Sequence, residues 1–129
     1  MTKLMVLALM LCAAEAAEAQ VIKYQPAVVN LVGTLTSGTA DGPGGQKVSF
    51  PAIRLAAPVR VEPEAADKRN QPEDAVTLIQ LVISSTATMA LFESLKDKQA
   101  TVTGTLFHST SPEYHHTPVL VTVREIEPQ

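Results

Sequence analysis

One segment with helical spacing interrupts the β-like runs of this chain, and its position constrains the fold more than any other feature. Three runs rich in β-branched residues come first, a segment with helical spacing follows, and two further β-like runs complete the chain. The predicted strands are residues 28–36, 48–61, 76–83, 100–108 and 118–127, with a helix at about 86–98. The sequence therefore predicts a mainly β protein with one short helix between strands 3 and 4.

Glycine interrupts the first and the fourth strand in similar surroundings. Val32-Gly-Thr-Leu35 returns as Thr103-Gly-Thr-Leu106. The order β-β-β-α-β-β is that of a small five-stranded Greek-key barrel, the OB-fold, in which strands 1 and 4 are neighbours. Gly33 and Gly104 would let both strands bend around one core. We predict a single OB-fold-like barrel over residues 20–129.

Within the strands, the apolar alternation predicts which side chains form the core. The apolar phase of the second strand slips by one residue near Pro51, where we expect a bulge, and Pro51 and Pro58 place parts of this strand at an edge. The third run is apolar on both faces except for Gln80. The predicted core comprises Leu31, Leu35, Ile53, Leu55, Val59, Leu78, Val82, Phe92, Leu95, Val102, Leu106, Val119, Val121 and Val123.

The amino-terminal segment has the layout of a secretory signal peptide. A lysine at position 3 precedes an apolar run over residues 4–14, and Ala17-Glu-Ala19 forms a small-x-small cleavage site before Gln20. The apolar run is too short to span a bilayer. The other possibilities are a buried helix and a lipoprotein, but Leu11 is too large to precede a lipid-modified Cys12. We expect residues 1–19 to be removed and residues 20–129 to be exported, to the periplasm or the extracellular space.

Removal of this segment leaves a composition that excludes several functions. Cys12 is the only cysteine, so the remaining chain has neither a disulfide nor a thiolate site. Loss of the segment takes the formal net charge from −3 to −2. Without a basic block and with few aromatic residues, the chain lacks what nucleic-acid binding requires. We expect no nucleic-acid partner and no membrane span.

The chain's three histidines lie together at the predicted hairpin of strands 4 and 5. Imidazole is the commonest metal ligand, so any specialised site is expected here. The candidate ligand-binding residues are His108, Tyr114, His115, His116 and Thr117. Adjacent residues of an extended strand point in opposite directions, so only one of the last two histidines can easily join His108.

Two explanations of the histidine cluster remain open. His108 and His116, with Glu113 or a hydroxyl, would suit Zn²⁺ or Cu²⁺ in a water-accessible site. Alternatively, His108 and a second histidine hydrogen-bond to the backbone and to Thr117 or Ser109, which locks the turn without any cofactor. The structural explanation is the one we expect.

Motifs for catalysis are missing from the chain. Ser109 and Ser111 lie near histidines, but no nucleophile elbow is present. The glycine-rich loop at residues 38–45 lacks the lysine and hydroxyl ending of a phosphate-binding loop. We therefore expect a binding module rather than an enzyme. It would bind a small ligand or an envelope protein on the face flanked by the glycine-rich loop and the histidine hairpin. A metal-binding envelope protein that uses His108, His115 and His116 is the alternative.

The histidine hairpin also carries a family resemblance. The segment Val102-Thr-Gly-Thr-Leu-Phe-His108, a polar loop, and His115-His-Thr-Pro-Val-Leu120 resemble a secreted bacterial family known as domain of unknown function 4431. Gly33-Thr-Leu35, Ile53-Arg-Leu55 and Gln80-Leu-Val82 are similar to its weaker landmarks. The loop Ser109-Thr-Ser-Pro-Glu-Tyr114 departs from the family's glycine-containing loop. The resemblance implies an envelope protein with no assigned activity.

Overall fold

The computed structural model describes residues 20–129, which form one six-stranded sheet and one α-helix. The predicted signal peptide lies outside the described residues. No helix within residues 20–129 is long and apolar enough to cross a membrane. The elements are β1 (Gln20–Lys23), β2 (Val28–Asp41), β3 (Lys47–Glu62), β4 (Glu73–Val82), α1 (Thr86–Leu95), β5 (Gln99–His108) and β6 (Val119–Pro128).

The five long strands pair in the order that the sequence predicts. β2 pairs antiparallel with β3 and with β5, β5 pairs antiparallel with β6, and β6 pairs parallel with β4. β4 also pairs antiparallel with β3, so the pairings form a ring of five strands. This is the strand order of the OB-fold, with α1 between its third and fourth strands. The mainly β, OB-like prediction is confirmed.

The ring closes through a single residue of β4. Residues 73–80 of this strand pair with β3, and residues 80–82 pair with β6. Gln80 alone has a partner on both sides, Ala52 on β3 and Leu120 on β6. The closure of the ring therefore depends on the surroundings of Gln80.

Two strand boundaries differ from the prediction. β1 was not predicted, because a strand of four residues shows no periodicity; it pairs parallel with β3 from Val59 to Glu62, beyond the point where β2 leaves β3. β2 continues through residues 37–41, which we expected to be loop. Only a short 3-10 turn, Pro43–Gly45, joins it to β3.

The core prediction is correct for most positions and wrong for part of β4. Leu78 and Val82 are only half-buried, whereas Ile79 and Leu81 belong to the core, so the phase is shifted by one residue. Leu95 and Val123 pack against the core while remaining partly exposed. An apolar run on both faces gives no phase information of its own. Gln80 and Leu78 lie on the outer face, whereas Val76 belongs to the core, because the pairing of β4 with β3 shifts register beyond Leu78.

The bulge expected at Pro51 lies elsewhere. β2 and β3 pair without a register shift from Gly33 and Leu55 to Asp41 and Lys47. The shifts occur in the pairing of β3 with β4, between Arg54 and Val61, and between β5 and β6 next to Gly104. Phe50 and Ala52 are buried on the opposite face from the core, which explains the change of phase near Pro51 without a bulge.

Candidate functional site

Residues 109–118, here called the histidine loop, fold back over the outer face of the sheet. Ala52, Gln80, Leu120 and Phe107 are successive partners across β3, β4, β6 and β5, so they form one row. The first three are buried although their neighbours along each strand face the core. This burial shows that the loop covers the outer face of the row.

Gln80 holds the histidine loop in place. Its side-chain NH₂ donates to the Tyr114 carbonyl oxygen at 3.0 Å, and its side-chain oxygen accepts from the His116 N–H at 2.7 Å. The Gln80 backbone N–H donates to the Thr117 hydroxyl at 3.0 Å, and that hydroxyl donates to the Val119 carbonyl oxygen. One glutamine thus satisfies two loop backbone groups, much as a neighbouring strand would. The sequence shows Gln80 as the one polar residue of an apolar run, but no motif there assigns it a role.

His115 stabilises the turn of the loop from inside. Its Nδ1 atom accepts from the backbone N–H of Thr110 at 2.9 Å and from that of Ser111 at 3.1 Å. The proton of the neutral ring therefore lies on Nε2. The ring edge also contacts Phe107, with centroids 5.4 Å apart. His115 acts as a structural cap of the turn.

His116 lies on the opposite side and packs on a different aromatic residue. Its ring stacks on Phe50 with centroids 5.1 Å apart and an interplanar angle of 30°. No hydrogen bond of this ring is formed with any residue between 20 and 129. His116 therefore keeps its ring nitrogens available for a ligand.

His108 belongs to a third environment, at the end of the barrel. Its Nε2 atom lies 2.7 Å from a carboxylate oxygen of Glu73, and its Nδ1 atom lies 3.3 Å from the Ser109 carbonyl oxygen. Its backbone N–H donates to the side chain of Asn70, and its ring meets that of Tyr24 at 6.3 Å. Burial and the nearby charge of Glu73 raise the pKa of the Tyr24 phenol.

The structure thus separates the predicted site residues by role. Each histidine contacts a different aromatic ring, and no contact joins two imidazoles within residues 20–129. The same residues contain no group of three or more histidine, cysteine or acidic side chains arranged to hold a metal ion. Thr117 is buried where its hydroxyl joins Gln80 to Val119, whereas Tyr114 is 67% exposed. These contacts favour the structural explanation for His108 and His115.

A groove lies where the histidine loop meets β4. Its volume is about 330 Å³, and residues 73–78 and 116–118 line it. Leu78 contributes a half-buried apolar side chain, and Arg54, its partner on β3, is exposed beside it. Leu78 and Arg54 were not among the predicted site residues. The sequence does not reveal the phase of β4, so it does not show that Leu78 lies on the outer face beside Arg54.

A known protein family matches the part of the chain that contains the histidine loop. Residues 78–127 match domain of unknown function 4431, DUF4431. The resemblance inferred from the histidine hairpin is therefore supported. The DUF4431 match includes Gln80, α1, β5, the histidine loop and nearly all of β6. No curated protein matches the chain.

Proposed function

We propose that this protein is an exported, non-catalytic binding module whose ligand lies on the outer face of β3 and β4, beside the histidine loop. The groove carries the proposal, because it combines an apolar surface from Leu78 with the unbonded imidazole of His116. Ligand sites are typically concave and mostly apolar with a few polar groups, and about 300 Å³ is the lower end of their usual volume.

Hydrogen bonds within the protein hold the walls of the groove in place. The hydrogen bonds of Gln80 fix Tyr114 and His116, and His115 fixes the turn that precedes them. A site with fixed walls loses less conformational freedom on binding than a mobile loop would. The hydrogen bonds of Gln80 and His115 therefore support ligand recognition beside the histidine loop as well as the stability of the fold.

The surroundings of the histidines favour binding over catalysis. A serine nucleophile needs a histidine within hydrogen-bond reach of its hydroxyl. Here Nε2 of His108 is bonded to Glu73, and Nδ1 of His115 accepts backbone N–H groups. Neither arrangement activates Ser109 or Ser111.

Export is the second part of the proposal, and it rests on the signal-like composition of residues 1–19. Intact-mass analysis of the protein recovered outside the cytoplasm tests it. We expect a chain that begins at or near Gln20. A product that retains Cys12 would contradict the proposed processing.

Site-specific photo-crosslinking in the producing cells tests the binding function. The photoreactive residue benzoylphenylalanine is placed at Tyr114, which is 67% exposed next to the groove. The matched control places it at Val28, which is 49% exposed on β2. We expect a discrete adduct from position 114 and none from position 28. Equal labelling at both positions, or no adduct at 114, would contradict a ligand site beside the histidine loop.

A further inference from the structure

Part of the β4 backbone faces the groove without a strand partner. Residues 73–79 pair with β3 alone, because the pairing with β6 begins at Gln80. The Gln80 N–H points away from β3, toward Thr117. Backbone groups two residues apart along a strand point to the same side, so the N–H and C=O of Leu78 also face the groove. Within residues 20–129 no group hydrogen-bonds to them from that side.

The chain's own strand β6 does not pair with this edge. Its pairing with β4 begins at Leu120, and Pro118 precedes this point. The Pro118 carbonyl oxygen accepts from the Ser109 N–H at 2.9 Å, within the histidine loop. The position beside Leu78 therefore stays open to a backbone from another chain.

A positive charge without a partner lies one strand away from the open edge, on the same face of the sheet as the Leu78 side chain. Arg54 is paired with Leu78 across β3 and β4, and facing side chains of such a pair are about 5 Å apart at Cβ. Arg54 forms no salt bridge with any described residue, whereas Arg60 on the same strand binds Glu62 and Asp74. The acidic residues of the groove already have partners, since Glu73 contacts His108 and Asp74 contacts Arg60.

We infer that the ligand of the groove is an extended, acidic peptide segment of a partner protein, which adds to β4 as a strand. Its backbone hydrogen-bonds to the N–H and C=O of Leu78, and one of its carboxylates pairs with Arg54. Strand addition of this kind takes affinity from main-chain hydrogen bonds and specificity from side-chain contacts. The inference rests on the proposed function, since it names the ligand class of the same groove.

The walls of the groove favour a peptide over a second copy of the chain. His116, Thr117 and Pro118 stand along one side of the groove, so the open edge is recessed. A second copy would have to bring a whole folded domain, including its own histidine loop, against this wall. A single extended segment has no such obstacle.

Selection from a random dodecapeptide library, on the folded protein, tests the inference. We expect enriched peptides to share an acidic residue at a fixed position, with binding measured by fluorescence anisotropy. Arg54→Glu should weaken the selected peptide at least about tenfold, as expected for a lost charged hydrogen bond, and lysine at the acidic position should restore binding. Arg124→Glu is the matched control, because Arg124 is an exposed arginine on β6, beyond the residues of that strand that pair with β4.

A second set of peptides tests the backbone contact. N-methylation of the peptide amide that faces Leu78 should abolish binding, whereas N-methylation one residue away should not. The absence of an enriched acidic family would overturn the inference, as would selected peptides that tolerate both Arg54→Glu and every N-methylation. A concentration-dependent dimer that Arg54→Glu disrupts would identify a second copy as the occupant and also overturn it. An adduct at position 114 together with any of these results would leave the proposed function standing.

Discussion

His115 and His116 are neighbours in the sequence, yet their side chains stabilise the molecule in different ways. The His115 ring accepts two backbone N–H groups, so His115→Ala leaves two amides without their acceptor. We expect this change to lower the free energy of unfolding by about 1–3 kcal/mol. His116→Ala is the matched control, because it removes only an aromatic contact, worth about 0.5–1.5 kcal/mol. Urea unfolding measures both, and a larger loss for His116→Ala would contradict these assignments.

Tyr24 gives the molecule a dependence on alkaline pH. It is fully buried, its hydroxyl donates to the Gln71 carbonyl oxygen at 2.6 Å, and burial with the charge of Glu73 holds its pKa well above the usual 10.0. A pKa that is raised in the folded state contributes stability that is complete below the unfolded value and is lost at higher pH. The free energy of unfolding should therefore fall as the pH rises above about 10.

The variant Tyr24→Phe should remove this alkaline decline, at the cost of the hydrogen bond to Gln71 at neutral pH. Tyr114→Phe is the matched control, because Tyr114 is exposed and should leave the decline intact. Unfolding measured in urea between neutral pH and the alkaline range checks both variants. A decline that persists unchanged in Tyr24→Phe would show that another group causes it.

At the scale of the elements, Phe92 is the most buried side chain of α1, and Met89 and Leu95 pack partly buried against the same core. Ser85 caps the helix by accepting from the Thr88 N–H, and Phe92 is only 2% exposed. Phe92→Ala should lower the free energy of unfolding by about 3–5 kcal/mol, as for other buried phenylalanines. Leu91→Ala is the matched control, since Leu91 is 36% exposed and should cost less than about 1 kcal/mol. Similar losses for the two variants would mean that the helix does not plug the barrel.

The two strand glycines lie where neighbouring backbones approach closely. A Cβ atom on Gly33 would overlap the Arg54 carbonyl oxygen, and one on Gly104 would overlap that of Thr122. Gly33→Val and Gly104→Val should each cost on the order of 1–3 kcal/mol or more, because a backbone cannot move aside as a side chain can. Thermal melts measure this cost, with Thr105→Val as control, since Thr105 is a half-buried residue of β5 whose hydroxyl bonds to no residue between 20 and 129. Unchanged melting of both glycine variants would contradict the close approach.

The elements also show how far the sequence predicts the structure. The hydrophobic period predicts the order of the five long strands and the position of α1. The similar surroundings of Gly33 and Gly104 in the sequence reflect the close backbone contacts at both positions. The phase of β4 could not be read from an apolar run, and β1 is too short to carry a pattern. The sequence also located the histidines at one hairpin, but not the fold-back of the loop, because that depends on contacts with Gln80 and Phe50 on distant strands.

At the scale of the whole molecule, the closure of the barrel and the position of the histidine loop depend on the same residue. The backbone of Gln80 joins β3 to β6, and its side chain holds the loop over the outer face. The groove, the exposed Tyr114 and the recessed edge at Leu78 all follow from this arrangement. Gln80 therefore fixes the histidine loop and, with it, one wall of the groove.

Hydrogen exchange of the His116 amide tests this claim most directly. Its N–H donates to the side chain of Gln80 at 2.7 Å, so it should exchange far more slowly than the amide of Glu113, at the exposed tip of the loop. Gln80→Ala should abolish this protection, whereas Thr77→Ala, an exposed residue of the same strand, should leave it unchanged. If the His116 amide already exchanges as fast as that of Glu113 in the unaltered protein, the loop is not fixed and the account is contradicted.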